Sequence, residues 1–144
     1  IVAPGVAKGG SVTRQLAETV DIYPTVAELA GLPVPKGPQS IDGKSLVPVL
    51  KNPKARVRDH SFHAYPRRRL GRAIRTERYR LVEWRNPGEP VNKAEYELYD
   101  YSKGSVETVN LAKKKPALVK ELATTLAKYP EPVSRGGRKP KKNK

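Results

Sequence analysis

Proline and glycine punctuate this chain throughout: 14 prolines and 11 glycines are spread along 144 residues rather than gathered in one linker. Proline removes a backbone donor and fixes φ, and glycine favours turns. The chain is therefore expected to be built mostly from short elements joined by turns. Its length suits one domain of about 100 to 150 residues. Hydrophobic residues make up 37%, below the roughly 45–50% of ordinary globular domains, a range that also counts glycine. The expectation is a thin core with tails.

The patterning places the elements. Ile1 to Gly5 reads as the end of a buried apolar strand entering a turn, and the apolar start without methionine suggests a fragment. A short helix is expected from Asp21, with Asp21 as N-cap, Pro24 in the first turn and Val26, Leu29 and Ala30 at helical spacing before Gly31 and Pro33. Ser45–Leu50 offers a second, with Leu46, Val49 and Leu50 on one face. From Ser61 to Trp84, aromatic and branched residues alternate with polar ones, predicting two or three strands, the last apolar on both faces. Another strand region follows at Tyr96–Tyr101. Pro116 opens the clearest helix, with Leu118, Leu122, Leu126 and Tyr129 on one stripe, ending at Pro130. The fold class is α+β: a small antiparallel sheet of about four strands packed on a long C-terminal helix.

The formal net charge of +15 favours polyanionic partners. Six of those charges lie in the last eleven residues, on Arg135, Arg138, Lys139, Lys141, Lys142 and Lys144. That tail either holds a polyanion by counterion release or is a solvated, disordered end. The chain has no cysteine, which excludes disulfides, a thiolate nucleophile and Cys-based zinc. No apolar stretch is long enough to span a membrane, and no export signal opens the sequence.

Three segments, in order, resemble the C-terminal third of sulfatases. Residues 20–33, VDIYPTVAELAGLP, are similar to the family's D-x-Y-P-T-x-x-x-L-A-G helix. Residues 41–50, IDGKSLVPVL, are similar to D-G-x-S-L-x-P-L-L. Glu97-Leu98-Tyr99-Asp100 with Glu107, Asn110 and Leu111 resembles E-L-Y-D-L followed by D-P-x-E-x-x-N-L. Residues 102–106 depart from that last pattern, reading Ser-Lys-Gly-Ser-Val where the family has an Asp-Pro turn. A narrower resemblance joins Ser61–Arg67, Ala73–Arg80 and Trp84 to the iduronate-2-sulfatases, with Ala64 standing where a glutamine is common.

The resemblance implies three parts: residues 1–33 as the end of an alkaline-phosphatase-like α/β domain, 34–130 as the C-terminal subdomain, and 131–144 as a basic disordered tail. It also implies an extracytoplasmic enzyme whose formylglycine and calcium belong to an N-terminal domain outside this chain. The C/S-x-P-x-R motif is absent here, and Asp21, Asp42, Asp59 and Asp100 are scattered singly, so no catalytic or metal residue is assigned. This chain alone is expected to be inactive, contributing to the pocket for a sulfated uronic acid or other sulfated glycan.

Arg67 is the leading substrate-contact candidate, because a guanidinium presents paired donors that match a carboxylate or sulfate. Arg67 to Arg69 forming a solvated turn is the competing reading. Tyr65 and His63 join it as candidates: Tyr65 either contacts sugar or shapes the loop, and His63 is either functional or a structural strand residue. Tyr79 and Trp84 either stack on a sugar ring or fill the core, the more common use of strand aromatics. Two other functions compete: a stand-alone basic module binding nucleic acid or another polyanion, and a degenerate sulfatase relative kept for sugar binding or assembly. The first lacks RNP-type aromatics, a Gly-x-x-Gly clamp and zinc-finger spacing.

Overall fold

Four strands form where aromatic and branched residues alternate with polar ones: β1 (Ser61–Pro66), β2 (Leu70–Arg75), β3 (Tyr79–Arg85) and β4 (Glu95–Asp100). They make one antiparallel sheet in sequential order. Helices α1 (Ile22–Leu29), α2 (Val47–Lys51) and α3 (Pro116–Leu126) complete an α+β fold. The computed structural model describes all residues except 35–36, 67–69, 87, 105 and 132–144, and the side chains of Pro66 and Lys103. The basic tail thus lies outside the described residues. The chain divides into two compact units, residues 1–61 with 75–79, and residues 62–74 with 80–144.

The second unit carries most of the sheet. Thr76 N–H donates to the Tyr79 carbonyl at 2.8 Å and closes the β2–β3 turn. That closure sets residue 73 opposite 82 and 71 opposite 84. One face carries Leu81 and Leu98, and the other carries Ala73 and Val82; all four are almost fully buried. The expectation that the third strand is covered on both faces therefore holds.

The outer edge of β4 is closed by the residues that follow it. Leu98 N–H donates to Asn110 Oδ1 at 3.0 Å, Leu111 N–H donates to the Leu98 carbonyl at 2.8 Å, and Asn110 Nδ2 donates to the Tyr96 carbonyl at 3.3 Å. Unpaired edge groups invite pairing with another chain; here the Asn-Leu pair satisfies both backbone groups of Leu98 and the Tyr96 carbonyl. Glu107 accepts two bonds from Arg80 Nη1, at 2.7 and 2.8 Å, and one from the Tyr101 hydroxyl.

Pro116 opens α3, where its missing N–H costs nothing. Leu122 and Leu126 are buried and Leu118 is half-buried, as the stripe requires. The helix ends before Tyr129, which sits in a turn closed by its N–H to the Leu126 carbonyl at 3.1 Å. Tyr129 still faces inward: its ring stacks on Phe62 of β1 at 4.3 Å, and its carbonyl accepts from Arg72 of β2 at 3.3 Å.

The first unit departs from expectation in three places. Ile1 and Val2 are exposed and outside any strand, since no described strand offers them a ladder. The turn after them is real, with Gly5 at φ 78° and Ala7 N–H bonded to the Ala3 carbonyl at 2.9 Å. Helix α2 begins only at Val47 and buries Val47 and Val49, leaving Leu46 and Leu50 half-buried. Helix α1 is inverted relative to the expected stripe: Pro24, Thr25 and Ala27 are buried, whereas Val26 is 57% exposed.

Asp21 decides that orientation. It stands at the N-cap position of α1, but its side chain makes no cap bond there. Its carboxylate instead accepts Glu18 N–H at 2.7 Å, Lys44 N–H at 2.8 Å and the guanidinium of Arg58, which also binds Glu18. Thr25 Oγ1 accepts Leu46 N–H at 2.8 Å. The two apolar-looking motifs are thus fastened together by polar side chains, which turns the polar edge of α1 inward. Ile22, Tyr23 and Val26 remain outside, each more than half exposed. A contiguous apolar patch of this kind promotes association. Residues 1–144 produced alone should therefore self-associate, with a light-scattering mass above 16.0 kDa, and Val26→Lys should reduce that mass.

Candidate substrate-contacting face

The site expectations fall on the β1–β2 hairpin. Phe62 and Arg72 both meet Tyr129, so they share one sheet face. By strand alternation His63 and Tyr65 lie on the other, together with Gly71 and Ala73. The His63 and Tyr65 rings sit 4.1 Å apart, tilted by 47°. Both side chains are exposed, Tyr65 at 37%. The structure therefore brings two of the three candidates together on an open surface. Arg67, the third, lies outside the described residues.

Trp84 shares that face. A Cβ at Gly71 would fall 2.6 Å from the Trp84 ring, so the indole lies directly across the β2 backbone. The ring is half-buried. The core reading of Trp84 is thus only partly met, because the glycine supports one side of the ring and leaves the residue partly accessible. Tyr79 is likewise half-buried, beside the Arg78 guanidinium at 4.9 Å.

The opposite face holds a buried charge network that the sequence reading missed. Glu83 accepts from Arg72 Nε at 3.1 Å and Nη2 at 2.7 Å, from Arg85 Nε at 3.3 Å and from the Tyr96 hydroxyl at 3.2 Å. Arg72, Glu83 and Arg85 are all buried. Arg85 also binds the Glu131 carboxylate. Through that bond Arg85 holds the Glu131 carboxyl below the usual carboxylate range, and Glu131 raises the Arg85 guanidinium in turn. Burial pushes the Tyr96 phenol up, reinforced by Glu83. The available signal was charged residues at positions 83 and 85, alternating with apolar ones inside a strand. Every group in the network is paired, so it is a structural clamp rather than an open site.

The described residues offer no cluster of carboxylates that would hold calcium. Among them no three His, Cys, Asp or Glu side chains converge. The carboxylates of the sequence reading also have other roles: Asp21 holds Arg58, Asp59 pairs with Arg56 at 3.5 Å, and Asp100 accepts Ser102 N–H at 2.9 Å. No helix among the described residues is long and apolar enough to cross a membrane.

Comparison with known proteins decides the family. Residues 1–131 match the family described as N-sulphoglucosamine sulphohydrolase, C-terminal. The chain belongs to this sulfatase family. A sulfatase of Formosa agariphila is 35% identical over 124 residues, covering 79% of this chain and 22% of the relative. An N-acetylglucosamine-6-O-sulfatase of Bacteroides thetaiotaomicron is 30% identical over 143 residues, covering 88% of this chain and 24% of the relative. The chain thus spans about a quarter or less of these relatives. The fold is similar to that of a putative sulfatase from Bacteroides thetaiotaomicron, with a TM-score of 0.61 and 28% identity over 76% of this chain and 23% of that one. It is also similar to a 2-O GAG sulfatase, with a TM-score of 0.60 and 28% identity over the same shares. The family is shown at the level of the sulfatase C-terminal region, with glycan sulfatases among the relatives; no iduronate-specific assignment follows from these matches.

Proposed function

We propose that this chain is the substrate-selecting C-terminal part of a sulfuric ester hydrolase acting on a sulfated glycan, and more narrowly on a sulfated uronic acid. The observation that carries the reading is the match over residues 1–131, together with relatives described as glycan sulfatases. In this reading residues 1–33 end the N-terminal α/β domain, 34–130 form the subdomain beside its pocket, and 131–144 are a basic tail able to contact polyanions. The nucleophile, a formylglycine, and the calcium ion belong to the N-terminal domain in this reading, and the whole protein works outside the cytoplasm, as the family resemblance implies. Arg67 binds the carboxylate or sulfate of the sugar, and Tyr65 and His63 are further substrate contacts. The narrower substrate rests on the sequence of Ser61–Arg67 and Ala73–Trp84. The net charge of +15 suits attraction to an anionic polysaccharide.

The test uses the whole protein that contains this chain. It should release sulfate from oligosaccharides bearing sulfated uronic acid, and faster than from N-acetylglucosamine 6-sulfate. Loss of a charge-assisted bidentate contact is worth about 1.5–3 kcal/mol. Arg67→Ala should therefore raise KM by roughly 10- to 100-fold, and Arg67→Lys should restore it only in part. An unchanged KM in Arg67→Ala removes Arg67 from the site. Absence of sulfate release from any sulfated glycan overturns the enzymatic reading.

A further inference from the structure

We infer that Trp84, Tyr65 and His63 form a stacking platform for a neutral pyranose ring of the glycan, next to the ring that carries the sulfate. The inference rests on the glycan reading above for its ligand class, and its geometry stands on separate observations. Tyr65 is one residue from the end of β1, Gly71 one from the start of β2 and Trp84 one from the end of β3. In an antiparallel sheet these three positions meet at the same end, and strand alternation puts them on the same face. Gly71 is central to the arrangement: the Trp84 ring occupies the place where any side chain would stand. The indole is thereby held flat on the backbone, with two further rings, 4.1 Å apart, on the strand beyond.

The chemistry of these rings selects the occupant. A pyranose presents one or both faces as rows of C–H groups, which suit the electron-rich face of an aromatic ring, while the phenol, imidazole and indole N–H supply polar tips for its hydroxyls. The three side chains carry no fixed positive charge, so their own contact is with an uncharged ring face rather than with the sulfate. Small, rigid aromatic groups held by strands lose little freedom on binding, as a sugar platform requires.

Two measurements on the whole protein separate this inference from the catalytic reading. Calorimetry with a desulfated tetrasaccharide reads the platform without any turnover: the wild type should bind it, and Tyr65→Ala should weaken binding by roughly 3- to 10-fold, the range of an aromatic contact. Tyr65 is exposed, so its removal does not threaten the fold. Trp84→Phe should keep most of the binding, because a ring still lies on Gly71. Kinetics give the second readout: in Tyr65→Ala, KM should rise more for a sulfated tetrasaccharide than for the sulfated monosaccharide. No binding by the wild type, or binding equal in Tyr65→Ala, overturns the platform even if sulfate is released. Binding that Tyr65→Ala weakens, in a protein releasing no sulfate, upholds the platform and sinks the sulfatase reading alone.

Discussion

Glu83→Ala should destabilise the fold by about 3–5 kcal/mol, the range for removing one partner of a buried ion pair. The loss is large because one carboxylate, itself 3% exposed, serves Arg72, Arg85 and the Tyr96 hydroxyl together. Among the described residues, removing it leaves Arg72 with the Tyr129 carbonyl at 3.3 Å, and Arg85 with Glu131 and the Glu89 carbonyl. Urea unfolding followed by circular dichroism should show the midpoint falling with little change in slope. Glu83→Gln keeps an acceptor but not the charge, and should fall between the two. The double variant Arg72→Met with Glu83→Leu is the control, since apolar replacement of a buried pair is often neutral or stabilising. A loss below about 1 kcal/mol in Glu83→Ala would mean that water reaches these guanidinium groups.

Gly43→Ala should cost a comparable amount, about 3–5 kcal/mol, from overpacking plus lost hydrogen bonds. A Cβ at position 43 would fall on the Val20 carbonyl oxygen, closer than 3.0 Å. The obstacle is backbone rather than a side-chain tip, so the 41–46 segment has to withdraw. Withdrawal breaks the bonds from Lys44 N–H to Asp21 and from Leu46 N–H to Thr25. Asp21 then remains buried with Arg58 and the Glu18 N–H as its side-chain partners among the described residues. The same unfolding experiment checks this, and Lys44→Ala, which keeps the backbone N–H, should stay within about 0.5 kcal/mol of wild type. A tolerated Gly43→Ala would show that the segment shifts freely and that the two motifs are not locked together.

These two positions show how the motifs that mark the family act in the structure. The aspartate and threonine of the first motif and the glycine of the second read as a cap, a helix residue and a turn. In the fold they form one joint. The Asn-Leu that follows β4 likewise reads as a loop, yet it closes a sheet edge. Neither role has a sequence signal of its own, because each depends on a partner more than ten residues away. The site was legible in the same partial way. His63 and Tyr65 come together because they are two apart in a strand, where a period of two places them on one face. The platform with Trp84 needed the register of β2 against β3, which only the turn at Thr76 and Tyr79 fixes.

The sequence by itself determined the fold class, the four strand segments, the position of α3 and its buried Leu122 and Leu126, and the absence of the sulfatase nucleophile motif from these residues. Local periodicity and punctuation suffice for such features, since they depend on residues within a few positions of each other. The tertiary structure alone decided the inward side of α1, the absence of a strand at Ile1 and Val2, the pairing of Glu83 with two arginines, and the placement of Trp84 over Gly71. Each follows from where a buried polar group finds its partner or where a ring finds space, and those are properties of contacts between distant segments rather than of the order of residues along the chain.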